Sequence, residues 1–269
     1  MPFYHIILLA IIQGITEFLP VSSSGHLVLT HSVLGDGGKD LCWEQNRLMD
    51  VAVHVGTLFA VLIYFWRDIF GMIGGALRPK SDGFQLAFKL VIASIPVIIA
   101  GLALSLWEPS FLCWVEVMAW TTLIFGIVLW FADKVDAGRS LDQMTYKDTI
   151  WIGLSQILAL IPGVSRSGIT MTSARFLGFS RIEAARFSLL LSIIAISGAG
   201  FLTSLDLFET GDIQLGTDIL LAVALSFVAG WVSIALMMRW LSQATFKPFV
   251  IYRIILGVSL LALIYGGVV

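Results

Sequence analysis

Along the chain, apolar runs long enough to cross a bilayer alternate with short polar connections. A spanning helix needs about 20 mostly apolar residues. Six stretches meet or approach that length: 51–66, 86–107, 113–132, 185–205, 217–239 and 249–268. Two further regions break the pattern. Residues 3–19 and 149–161 are apolar but stop at Leu19-Pro20 and Ile161-Pro162-Gly163, and each runs on into a Ser- and Gly-rich opening and a short, partly apolar segment, 22–34 and 165–178. Proline ends one helix and suits the first turn of the next, so each region reads as helix–break–helix, too short and too polar for two full spans. Irregular backbone at membrane depth is tolerated only when buried in protein or lining a cavity. The hairpins 3–34 and 149–178 are therefore expected to be re-entrant.

The two hairpins align without gaps at an offset of 143 residues: Gln13 with Gln156, Val21 with Val164, Ser22 with Ser165, Ser24 with Ser167, Gly25 with Gly168, and Leu34-Gly35 with Leu177-Gly178. Each is followed by three spans. The chain thus divides into a first repeat (1–132), a linker (133–148) and a second repeat (149–269). Lys and Arg favour cytoplasmic loops. They occur in 67–85 (Arg67, Arg78, Lys80), in 133–148 (Lys134, Arg139, Lys147) and in 240–248 (Lys247, with Arg239 at its edge). Segments 108–112 and 206–216 lack them and carry Glu108, Asp206, Glu209 and Asp212. Counting spans from these loops puts 35–50 outside, so the first hairpin enters from outside and the second, beside Arg181, from inside. Inverted repeats with broken helices place binding sites near the midplane, where the breaks meet.

Composition agrees. Of 269 residues, 58% are hydrophobic and 13% charged, against about 25% charged in soluble domains, and mean hydropathy is +0.94. An all-α integral membrane protein follows. A net charge of −2 gives no basic footprint for nucleic acid. No cleavable signal peptide is expected, because the N-terminal apolar run lacks a basic start and leads to Gln13 and Glu17. Cys42 and Cys113 form no zinc or CxxC pattern and fall on the outer side, where oxidation is permitted. Trp107, Trp114 and Trp151 read as interfacial anchors, while His5 and His31 show no ligand spacing.

The chemistry concentrates in the two breaks. A carboxylate at bilayer depth costs about 2.5–3.5 kcal/mol on insertion scales, and such groups face a protein interior or a watered cavity. Gln13 and Glu17, four apart, share a helix face. Ser22, Ser23, Ser24 and Gly25 open a second helix, whose free N–H groups form an anion site, and His26 follows. Ser165-Arg166-Ser167-Gly168, after Pro162-Gly163, presents another helix start with an arginine suited to phosphate oxygens. Should the hairpins meet, this inventory fits phosphoryl transfer. Plainer readings stay open: Glu17 as a structural partner of Arg166, the serines as helix caps, His26 as a core histidine, Arg166 snorkelling to the cytoplasmic face, and Asp50 with His54 as a polar span end.

At these residues the chain resembles the undecaprenyl-diphosphate phosphatase family of bacterial inner-membrane proteins, linked to bacitracin resistance, over its whole length. The likeness rests on Gln13 and Glu17, on Ser22, Ser23, Gly25 and His26, and on Pro162 to Thr170. It implies removal of the terminal phosphate of undecaprenyl diphosphate at the outer membrane face, regenerating the carrier for peptidoglycan, with a divalent metal, Mg²⁺ or Ca²⁺. The implied roles place Arg166, Ser165, Ser167 and Thr170 on the diphosphate, with Ser22, Ser24, Gly25 and Gly163 beside it. Glu17 would bind metal or move a proton, with Gln13 as polar neighbour and metal partner. Ser23 with His26 would form a nucleophile–base pair, though a histidine nucleophile or metal-activated water stays open; Asp50 and His54 would support the site from behind. Having Gln13 rather than glutamate puts in doubt any mechanism needing two carboxylates from that helix. The partners implied are the polyprenyl diphosphate, membrane lipids and, left open, a second copy of the chain.

Two rivals are weighed. Phosphatidic-acid-type lipid phosphatases pair a Ser-Gly-His element with Ser-Arg-x5-His; here that last position is Thr172, and no histidine follows His54. A polyprenyl-phosphate flippase or transporter shares the broken-helix architecture but needs no nucleophile, so loss of turnover with binding retained separates the two.

Overall fold

Of the 269 residues, the computed structural model describes 2–34, 47–107, 110–210 and 213–267. They form helices α1 (Phe3–Thr16), α2 (Ser23–Leu34), α3 (Arg47–Tyr64), α4 (Trp66–Gly75), α5 (Asp82–Trp107), α6 (Val115–Asp133), α7 (Tyr146–Gln156), α8 (Arg166–Phe176), α9 (Arg181–Thr210), α10 (Ile213–Leu241) and α11 (Lys247–Tyr265), with short 3-10 turns at 110–113, 141–143 and 157–160. Among the described residues, four helices are long and apolar enough to cross a membrane: α5, α6, α10 from Gly216, and α11; α3 and α4 reach that length only when counted together across their bend. The protein is a multi-pass α-helical membrane protein.

Its surface is inverted relative to a water-soluble domain. Ile99, Leu102 and Leu106 of α5 and Ile251 and Ile255 of α11 are exposed, whereas Gln13, Thr57, Gln156, Ser188, Arg175 and Arg253 are buried. Lipid solvates the apolar exterior; the interior satisfies polar groups that lipid cannot. Helices approach closely where side chains are small, as interhelical packing in lipid favours. A Cβ on Gly14 would fall 2.5 Å from the Ala229 Cβ.

α1 packs on α10 and α7 packs on α5, while α6 lies along α11, α3 lies between α9 and α10, and α8 contacts α6, α7 and α9. Both helix–break–helix segments form as the prolines and serines lead one to expect. α7 begins earlier than expected because Thr145 caps it: its Oγ accepts from the Asp148 N–H, and Asp148 accepts from the Thr145 N–H at 2.8 Å. Arg139 then clamps Asp148 at 2.7 Å and the Leu177 carbonyl at 2.6 Å, tying the linker to the end of α8.

Two expectations need correction. Residues 67–85, expected to be a loop, include α4: the chain bends by 77° after Tyr64 and continues as a helix. Trp66, Phe70 and Ile73 project from α4 exposed, as on an amphipathic helix at a membrane interface. Second, the span 185–205 is the middle of a 30-residue α9, and most of the loop expected at 206–216 is the end of α9 and the start of α10. Cys42, Glu108 and Asp212 lie outside the described residues, as do the side chains of Cys113, Asp206 and Glu209; the pairing of the two cysteines falls with them.

Candidate active site

Each break turns through a serine in the left-handed region, Ser22 at φ 74° and Ser165 at φ 72°. Such a conformation costs a non-glycine residue on the order of 1–3 kcal/mol, and both fall at equivalent places, immediately before the starts of α2 and α8. Ser165 recovers part of the cost as a cap, its Oγ accepting from the Gly168 N–H at 3.1 Å. Gly163, at φ 88°, is required twice over, since a Cβ there would meet the Thr121 Oγ1 at 2.2 Å. Residues of both helix starts, Ser23 and Ser24 of α2 and Arg166 and Ser167 of α8, line one cavity, and the first N–H groups of a helix have no carbonyl partner within it.

The breaks touch. Arg166 Nη2 donates to Glu17 Oε1 at 2.6 Å, and Ser167 Oγ donates to the Leu19 carbonyl at 2.9 Å. The other Glu17 oxygen, Oε2, accepts from Ser23 Oγ at 2.7 Å and from Gln13 Nε2 at 2.8 Å, with His54 Nε2 3.7 Å away. Glu17 is 7% exposed. A cavity of about 270 Å³ opens beside this cluster, lined by Glu17, Ser22, Ser23, Ser24, His54, Ser165, Arg166 and Ser167, with Ala159, Ala195 and Ile196 as its apolar side. A carboxylate, a guanidinium, hydroxyls and two helix starts around one small cavity can hold a phosphate group and exchange a proton with a hydroxyl next to it.

Several expected members sit elsewhere. Ser23 and His26 do not form a hydrogen-bonded pair: Ser23 turns to Glu17, while His26 Nδ1 contacts the Ser22 carbonyl at 2.7 Å and Nε2 the Tyr252 hydroxyl at 2.5 Å. One turn of α2 separates hydroxyl and imidazole, and the Tyr252 ring stacks on His26 at 5.6 Å. Thr170 is buried off the cavity, joined to Ser188 Oγ at 2.7 Å and to the Arg166 carbonyl at 2.8 Å, where it fastens α8 to α9. Gly25 lets α2 approach Met118, and Gly163 acts through its backbone. Of the Asp50–His54 pair, His54 reaches the cavity and Asp50 bonds His31 at 3.1 Å. Among the described residues no three His, Cys, Asp or Glu side chains group to hold a metal. However, the buried Gln13 Oε1 has no hydrogen-bond partner among them. Oxygens of that kind beside one carboxylate suit a hard divalent cation that takes its other ligands from phosphate and water.

Arg253 was not foreseen. Fully buried, its guanidinium donates to the Pro20 carbonyl at 3.2 Å, Val164 at 3.0 Å and Gly163 at 2.9 Å, and to Thr121 and Thr122 of α6. It binds both breaks to one another and to α6. The signal was present: an arginine inside an apolar span is a site hypothesis by default.

Residues 6–259 match the family described as bacitracin resistance protein BacA. The chain belongs to that family. Among similar relatives, the undecaprenyl-diphosphatase of Jannaschia sp. (strain CCS1) is 46% identical over 273 residues, covering 99% of this chain and all of the relative. That of Hahella chejuensis is 46% identical over 271 residues, covering 98% and 99%, and that of Alteromonas mediterranea is 44% identical over 273, covering 99% and 100%. Membership of the BacA family extends over both breaks and the helices that carry them.

Proposed function

We propose that this BacA-family protein hydrolyses undecaprenyl diphosphate to undecaprenyl phosphate and inorganic phosphate, recycling the lipid carrier of wall synthesis. The observation that carries the chemistry is the Glu17 carboxylate, shared at hydrogen-bonding distance between Ser23 Oγ of one break and Arg166 of the other. The diphosphate sits against the starts of α2 and α8, whose N–H groups favour anions. Arg166 exchanges its contact with Glu17 for phosphate oxygens. Glu17 takes the Ser23 proton as Oγ bonds to the terminal phosphorus; the bond from that phosphorus to the bridging oxygen breaks, and undecaprenyl phosphate leaves. Water then displaces Oγ from phosphorus, Glu17 returns the proton to Oγ, and inorganic phosphate departs. Ser165 and Ser167 line the opposite wall, and His54 adds a polar group near Glu17. The assignment of Glu17 rather than His26 as base follows from the partners each side chain has. Glu17 and Gln13 would hold a divalent metal, Mg²⁺ or Ca²⁺, which when bound supplies charge neutralisation on the phosphate oxygens.

The architecture supports a pair of inverted repeats. The packing of α1 on α10 and of α7 on α5 exchange with one another when the repeats are swapped, and α6–α11 and α3–α9 map onto themselves. The Lys and Arg distribution favours the outer face of the cytoplasmic membrane for the first break.

The test is phosphate release from a polyprenyl diphosphate in detergent, with and without divalent metal. Glu17→Gln and Arg166→Ala are expected to lose at least about 10²-fold in kcat. Ser23→Ala is expected to lose about 10³-fold or more and to accumulate no phosphoenzyme on rapid quench, with His26→Ala much milder. Ser23→Ala turning over at a tenth of the wild-type rate would refute the serine step in favour of direct attack by water.

A further inference from the structure

A second cavity, of about 410 Å³, lies away from the breaks, where α6 ends, α11 begins and the α8–α9 connection passes. Its wall carries four cations, Lys134, Arg175, Arg181 and Lys247, against two acids, Asp133 and Asp136. Asp133 is spent within the protein: Oδ1 accepts from Arg181 Nε at 2.5 Å and Oδ2 from the Phe246 N–H at 2.9 Å. Among the described residues, neither lysine forms such an ion pair. Lys134 Nζ rests 3.3 Å from the centre of the Trp130 ring, a contact that orients an ammonium without neutralising it, and both lysines are exposed. Arg175, 2% exposed, uses its terminal nitrogens on the carbonyls of Phe179, Asp133 and Val135. Its buried Nε has no hydrogen-bond partner among the described residues.

We infer that this cavity is a binding site for a phosphate-bearing headgroup, distinct from the catalytic cavity, with Lys134 and Lys247 as its contacts. Position favours a lipid. α6 and α11 are both candidate spans, so the cavity lies where two spans meet the interface, at headgroup depth. Trp130 of the cavity wall and Trp240 at the end of α10, whose indole N–H donates to the Thr245 carbonyl at 2.9 Å, are both exposed and suit that belt. Basic pockets between helices at this level hold anionic headgroups. The same chemistry would accept inorganic phosphate from the aqueous side, so the experiment includes both.

The full-length protein in detergent is titrated with phosphatidylglycerol or phosphatidylcholine and followed by native mass spectrometry. The expected result is retention of phosphatidylglycerol over phosphatidylcholine, with affinity lowered roughly 30-fold in Lys134→Gln/Lys247→Gln, from about 1 kcal/mol for each basic side chain at an anionic surface. Arg166→Ala should leave this binding unchanged, separating it from lipid in the catalytic cavity. Lys134→Arg/Lys247→Arg should retain it, and the glutamine pair should keep wild-type phosphate release, which excludes misfolding. Inorganic phosphate that fails to displace the lipid identifies a lipid site; equimolar displacement identifies free phosphate as the occupant. Equal retention of both lipids by wild type, or an undiminished preference in the glutamine pair, overturns the proposal. Neither result depends on whether Ser23 or Glu17 performs catalysis.

Discussion

Replacing Arg253 by methionine keeps most of the side-chain volume and removes the guanidinium that holds the two breaks together. Three of its bonds go to the breaks themselves, at the Pro20, Gly163 and Val164 carbonyls. Left buried without a donor, each carbonyl costs about 1–3 kcal/mol. Relief from burying a cation without a carboxylate partner offsets part of the sum, since replacing buried charges by apolar residues of similar volume often stabilises by about 1–4 kcal/mol. A net loss near 3 kcal/mol is expected, with the breaks free to separate. An ångström of displacement at a reacting site costs about 10²-fold, so kcat should fall by at least that factor. KM should change far less, because Arg253 does not itself line the cavity. Arg253→Lys, whose single ammonium cannot fork across both breaks, should recover stability more than kcat. The assay is steady-state phosphate release alongside thermal unfolding in the same detergent. Arg253→Met with kcat within threefold of wild type would refute the claim that this arginine sets the geometry of the site.

Other substitutions probe the supports around it. Ser165→Gly should leave thermal stability nearly unchanged, because relief of left-handed strain of about 1 kcal/mol is offset by the greater conformational entropy of glycine in the unfolded chain, about 0.5–1 kcal/mol, with the lost cap adding a few tenths; a shift of more than several degrees in either direction would count against that balance. Gly163→Ala should be severe, since φ is 88° and the new Cβ would sit 2.4 Å from the Met118 carbonyl oxygen; unfolding at wild-type temperature would contradict it. At Asp148 burial opposes ionisation, yet the bonds from Arg139 and Thr145 hold the carboxyl below its usual value of 3.8. A carboxyl depressed by folding stabilises above its unfolded pKa and loses that contribution as pH falls through the folded one. The stability gap between wild type and Asp148→Asn should therefore persist from neutral pH to about pH 4 and close below it, as thermal unfolding across that range will test.

Much of this was legible in the chain. Proline and serine mark a break in an apolar run because no helix continues through Pro20 or Pro162, and the offset that aligns the breaks also aligns the strained serines. Glu17 and Arg166 declared themselves as charges where lipid tolerates none. What could not be read was orientation. Ser23 and His26 are three apart, which places them near one another on a helix but does not say whether the hydroxyl turns back to Glu17 or the imidazole away to Tyr252, a residue 226 positions distant. α4 escaped because its arginine and aspartate gave a short amphipathic helix the look of a loop. Arg253 was visible as a charge; its partners, all carbonyls, leave no mark in a sequence.

The contact between Glu17 and Arg166 spans 149 residues of chain, and synthesis must respect that order. At about 5–20 residues per second, roughly 7–30 s pass between the emergence of the carboxylate and that of its counter-ion. Through that interval the first break is a hairpin without its cation and without Arg253, later still. The contacts that hold it in the finished fold come from the second half of the protein. Closure of the site is therefore a late step: a chain stalled between residues 17 and 166 carries the carboxylate without the arginine that pairs with it in the finished fold.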